Sequence, residues 1–201
     1  MKRPGGNHTA AESRRRGPDH VRRLSKLASL AGDVLEPATE ESWSRLERML
    51  HTKFPASHKR ILKAFGTGVF GGRLLLMNPS AELDWRSEYS ARWAHGVASL
   101  LAGAFPKYSF QLEEGGLLPF AMTVDGVYLC FDRSQGGVSS WGVRVCSLHD
   151  RWTQGMNLSS AELISHLATG EGRLKSALRL KLWRAGEAVF KPSPYITVPL
   201  V

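Results

Sequence analysis

Gly115-Gly116-Leu117-Leu118-Pro119-Phe120-Ala121, followed by Asp125-Gly126 and then Val127-Tyr128-Leu129-Cys130-Phe131, is the stretch that decides the fold. The glycine pair reads as a turn opening an apolar run. Asp125-Gly126 is a hairpin signal, because both residues tolerate positive φ. After it, Val127, Leu129 and Phe131 alternate with Tyr128 and Cys130, the period-two pattern of a strand. A third strand is expected beyond the Gly136-Gly137 loop, where Trp141, Val143 and Val145 alternate with Gly142, Arg144 and Cys146. An antiparallel meander follows. Tyr108 and Phe110, in a segment that begins at Lys107, are read as an earlier strand of it.

Helices are expected on both sides. Glu40 and Glu41 behind Pro37 and Thr39 complement the positive end of a helix, and Trp43, Leu46 and Leu50 recur at helical spacing. Pro55 suits the first position of a second helix, with Ile61, Leu62 and Phe65 as its buried face and Gly66 as its stop. The glycines from Gly66 to Gly72 are read as turns before a strand at Arg73–Met77. Trp85, Tyr89, Trp93, Val97 and Leu101 form an i, i+4 series on a long helix closed by Gly103 and Pro106. Ser159 and Glu162 form a capping box for a last helix, with Leu163, Ile164 and Leu167 apolar and Gly170 as its stop. Helices, a meander and a further helix make an α+β domain.

The formal charge of +9 is uneven. Residues 1–35 carry eight Lys or Arg against three acids, a net of +5, and the other 166 residues carry 19 against 15, a net of +4. Rich in Gly, Ser, Arg and Pro, residues 1–35 cannot bury enough surface to offset their ordering entropy. They are expected to be a disordered basic arm ahead of a single domain over 36–201. No apolar stretch is long enough to span a bilayer and no secretory signal is apparent, so a cytoplasmic protein is expected. Cys130 and Cys146 sit in strand-like apolar runs and read as buried free thiols.

Catalytic chemistry is poorly represented. The seven histidines are scattered without ligand spacing, and none of the H-E-x-x-H, G-x-S-x-G or C-x-x-C motifs occurs. His149-Asp150 is the nearest thing to a catalytic fragment and reads better as a solvated loop. The glycines precede no Gly-Lys-Ser or Gly-Lys-Thr, so no phosphate loop is read. No catalytic residue, cofactor, metal or small-molecule substrate is expected. Glu113, Glu114, Asp125 and Asp132 are the candidate partner-binding residues, an acidic patch at the meander loops that would attract a cationic partner. Ordinary polar surface is the plainer reading of the same residues. Arg173, Lys175, Arg179, Lys181 and Arg184, with Arg14, Arg15 and Arg16 of the arm, support an alternative nucleic-acid surface. Leucines between the distal cations fit an amphipathic element on the core equally well.

In order and spacing these features resemble the SUKH superfamily, which includes the fungal cell-wall-synthesis regulator and many bacterial immunity proteins. The acidic helix of Glu40 to Leu50 leads into Phe54-Pro55-Ala56-Ser57-His58, similar to the family's Leu-Pro-x-x-Tyr segment. Phe65–Gly72 resembles its glycine-bearing turn, and Gly115–Ala121 with Asp125-Gly126 its most telling motif. The resemblance is strongest over 36–170, and it includes the helix of Ser159 to Gly170. His58 in place of Tyr, and Val127 in place of an acid after Asp-Gly, are departures expected to alter a binding surface. The resemblance implies a SUKH-like α+β fold with no shared catalytic residues. It further implies an immunity protein that binds and neutralises a polymorphic toxin domain of nuclease or deaminase type; the alternative is a nucleic-acid-associated regulator.

Overall fold

The computed structural model describes residues 22, 37–70, 74–79, 84–110, 112, 115–134, 136–169 and 190–192. Most of the basic arm and of the 170–189 segment therefore lies outside the described residues. Helix α1 (Glu40–Met49) starts at Thr39, whose hydroxyl accepts from the Ser42 N–H at 3.2 Å while Ser42 Oγ accepts from the Thr39 N–H at 3.0 Å. Two acids at its start and Arg48 in its last turn suit the helix dipole. Helix α2 (Ala56–Phe65) follows Pro55, which sits one place ahead of the first helical residue. Gly66, at φ 66°, ends it in a left-handed conformation that glycine adopts without strain.

Seven strands form one antiparallel sheet: β1 (Gly68–Phe70), β2 (Leu74–Leu76), β3 (Leu117–Thr123), β4 (Val127–Asp132), β5 (Gly142–Ser147), β6 (Trp152–Met156) and β7 (Phe190–Pro192). Their spatial order is β6-β5-β4-β3-β2-β1-β7, so the chain meanders across the sheet and its last strand returns to the starting edge. Helix α3 (Asp84–Ala104) links β2 to β3 and packs against both α1 and β3, and α4 (Ser160–Thr169) packs against α2 and β5. The α+β architecture with a mostly antiparallel meander is the one expected.

Register divides the sheet into two faces, because directly paired residues share a side. Leu118, Phe131 and Val143 align on one face, beside Ala121, Leu129 and Val145. Met122, Tyr128 and Cys146 align on the other, with Cys130. Pro119 would break a central ladder, since it has no N–H to give. The structure places it at a bulge: Pro119 pairs with Cys130 and Ala121 with Leu129, leaving Phe120 between them, and the Phe120 carbonyl accepts from the Met77 N–H at 2.8 Å. Cys130 and Cys146 are buried free thiols, diagonal to each other because Cys130 pairs with Arg144 and Cys146 with Tyr128. Burial pushes the Cys130 thiol well up, and hydrogen bonding to Cys146 adds to this.

Several local expectations are corrected. Gly68–Phe70, read as turn, is strand β1; three residues are too few for alternation, and pairing with β2 on one side and β7 on the other makes them a strand. Residues 107–110 and 112, read as strand, are irregular, with a turn closed by the Tyr108 N–H on the Phe105 carbonyl. Helix α3 runs through Gly103 to Ala104, and Pro106 follows its end. Strand β5 begins at Gly142, one residue after Trp141. Strands β6 and β7 were not expected at all: a half-buried Thr-Gln-Gly and a three-residue tail carry no local signal. Among the described residues, no helix is long and apolar enough to cross a membrane.

Candidate functional site

The end of α1 creates the site's first wall. Leu50 closes the helix and His51 turns left-handed at φ 48°, while the Thr52 N–H bonds back to the Glu47 carbonyl at 3.1 Å. This reversal carries Thr52, Lys53 and Phe54 back along the helix. Glu47, only 3% exposed at its side chain, then receives Lys53 Nζ at 2.9 Å, Lys59 Nζ at 2.8 Å and the Phe54 N–H at 2.9 Å. Burial alone would raise its carboxyl; hydrogen bonds from Lys59, the Phe54 N–H and Lys53 outweigh that and hold it below the usual carboxylate range.

Arg133, just past β4, supplies the floor. It is buried, and donates from Nε to the Gly116 carbonyl at 2.9 Å and from Nη1 to the Leu112 carbonyl at 2.9 Å and Thr52 Oγ1 at 3.0 Å. One guanidinium thus ties the α1 exit, the approach to β3 and the end of β4 together, and it lies 5.8 Å from the Trp141 ring centroid. Between the α1 exit and the loop from Gly136 to Trp141 lies an open groove of about 560 Å³, lined by Glu47, Arg48, His51, Lys53, Arg133 and Trp141 among others. The loop tightens through a short 3-10 turn, Val138–Ser140. Sequence reasoning passed over Arg133, because a lone arginine at a strand end carries no motif.

Asp132 points to the opposite face from Phe131. It pairs with Arg144 at 3.0 Å and accepts from the Ser134 N–H at 3.2 Å, while Arg144 lies 4.5 Å from the Tyr108 ring centroid. Burial raises the Asp132 carboxyl, and bonds from Ser134 and Arg144 more than reverse this, leaving it below its ordinary value. Asp125 is exposed at the other end of β4, in the β3–β4 hairpin. Seven residues at about 3.3 Å each separate the two acids by on the order of 20 Å, so Asp125 and Asp132 do not share one acidic patch. Glu113 and Glu114 lie outside the described residues, although Leu112 and Gly115 on either side of them are at the Arg133 floor. Arg14, Arg15, Arg16, Arg173, Lys175, Arg179, Lys181 and Arg184 are also outside them. In the β5–β6 turn, His149 and Asp150 are exposed, and Asp150 closes the turn through its N–H to Ser147 Oγ at 3.3 Å.

The two departures expected to alter a binding surface do not lie on one. Val127 is buried. His58 is fully buried among aromatic rings, edge-on to Phe120 and Phe131 at 5.1 Å each and stacked on Phe54 at 6.3 Å. It packs as one more ring of that cluster. Among the described residues, no group of three or more His, Cys, Asp or Glu side chains gathers as a metal-ligand set.

Helices preceding and following an antiparallel meander, with a polar groove at the sheet's end, define an α+β domain of SUKH type. Residues 40–157, more than half of the chain, match the family model SUKH_6, described as SMI1-KNR4 cell-wall, and the chain belongs to this family. Family members act as protein-binding modules and include immunity proteins. The match ends ahead of α4. Neither the curated proteins nor the solved structures return a match.

Proposed function

We propose that the protein is a non-enzymatic, cytoplasmic binding module of immunity type, which neutralises a polymorphic toxin domain of nuclease or deaminase chemistry by occupying it. The family match over residues 40–157 carries this reading. The Arg133 end of the sheet supports it, because loops braced by a buried guanidinium hold a surface in one shape before the partner arrives, which lowers the ordering cost of binding. Glu113, Glu114, Asp125 and Asp132 remain proposed partner contacts, with Asp132 half-buried and acting mainly through its hold on Arg144.

The test is affinity capture from the native cell with the full-length chain and with a form lacking residues 1–35, followed by purification of any retained toxin domain. Equal capture by both forms, with toxin activity lost at one-to-one stoichiometry, is the expected result. Reversing the four acids together should slow association; an unchanged on-rate removes them from the contact. Nucleic acid retained by the full-length form alone would transfer the role to the basic arm.

A further inference from the structure

The groove at the α1 exit differs from its surroundings in how its charges are satisfied. Arg48, His51 and Lys53 are exposed along it, and Glu47 is the one acid among its described lining residues. That carboxylate is turned inward, and Lys59, which does not line the groove, already matches its charge at 2.8 Å. Lys53, with 76% of its side chain exposed, and Arg48 therefore leave an excess of positive charge at the mouth. Half-buried Val138 and Trp141 form the facing wall.

The geometry points to this groove as a docking site for a short acidic segment of the protein partner, its carboxylates against Arg48 and Lys53 and its apolar side against Trp141 and Val138. This inference rests on the protein-binding reading and adds the chemistry of the partner. Charge complementarity selects an anion. The size selects a peptide segment: about 560 Å³ lies within the roughly 300–1,000 Å³ of compact binding sites. A duplex instead needs cations spread along a line of phosphates spaced about 1.7 Å per charge along its axis.

The probe is acetylated hexaglutamate, with acetylated hexaglutamine as its neutral counterpart, titrated onto the full-length protein and followed by amide chemical shifts. Hexaglutamate alone should perturb residues 48–53 and 136–141. The Arg48→Ala/Lys53→Ala variant should bind it at least about tenfold more weakly. Arg60→Ala/Lys63→Ala, which removes the same charge from exposed positions of α2, should change binding less than about twofold. Equal losses in the two variants, equal binding of hexaglutamine, or perturbations confined to the arm would each overturn the site. So would a six-nucleotide oligothymidylate that displaces the peptide and binds the groove more tightly. Glu47 keeps Lys59 and the Phe54 N–H in the double variant, and the single Arg48→Ala variant repeats the test should the double fail to fold. A toxin still captured by a protein that ignores hexaglutamate would sink this inference and leave the binding reading standing. Groove binding with no protein partner would do the reverse.

Discussion

His58 and Arg133 are both ionisable, both buried, and held in opposite ways. Neither ring nitrogen of His58 has a hydrogen-bond partner among the described residues, and burial lowers its pKa to about 3, so the imidazole stays neutral among aromatic rings. Arg133 keeps its charge and spends it on two backbone carbonyls and a hydroxyl. A buried group can be tolerated by losing its charge or by having its donors satisfied. The first solution stabilises a core only while the proton stays off; the second fixes loops, and it stands at the groove.

The largest expected effect is acid destabilisation through His58. Its folded pKa, about 3, is depressed below the ordinary 6.5. Between these values the unfolded chain binds a proton that the folded chain refuses, so stability is lost as pH falls through the window. A shift of that size corresponds to roughly 4–5 kcal/mol in full. Glu47 and Asp132, also depressed, lose stability in the same direction at lower pH, so the comparison is with His58→Phe. Urea melts from pH 7 to pH 4 should show the wild type losing more stability than the variant; parallel curves would mean that the imidazole is not protected as its burial implies.

Arg133→Met tests the other half of the comparison. Loss of three charge-assisted bonds should cost about 3 kcal/mol at pH 7, with amide exchange rising around Thr52 and Gly116 while the aromatic cluster stays protected. A cost under about 1 kcal/mol would show that the loops hold their shape without the guanidinium. The smallest effect is expected from Thr52→Val, which removes one neutral acceptor and should cost about 1 kcal/mol by the same melts. If Thr52→Val costs as much as Arg133→Met, the hydroxyl rather than the arginine is what links α1 to the sheet.

Where the signal is local, the residues announce their structure. Ser159 and Glu162 form the expected box, with Glu162 Oε2 accepting the Ser159 N–H at 2.8 Å and Ser159 Oγ the Glu162 N–H at 3.2 Å. Asp125-Gly126 turns as read, with Gly126 at φ 75°. Trp93, Val97 and Leu101 are buried as the helical stripe requires. The failures have one cause. Val69, Phe70 and Phe190 become strand only because they find each other across the sheet, Val69 opposite Leu75 and Phe70 opposite Phe190. Tyr108 and Phe110 alternate like a strand and find no partner.

The candidate site divides the same way. Glu40 to Leu50, the Pro55 helix and the Asp125 hairpin were legible because caps, apolar spacing and turn residues act over a few positions of chain, and the ordered set of them points to the family. Nothing local marks Arg133, whose bond to Thr52 joins residues 81 positions apart, and nothing local says that His58 enters the core or that Asp125 and Asp132 stand at opposite ends of one strand. Propensity and periodicity are properties of neighbours in sequence, so the sequence by itself determined the elements and their kind. Burial, charge pairing and the groove depend on which distant surfaces exclude water together, and only the tertiary structure decided those.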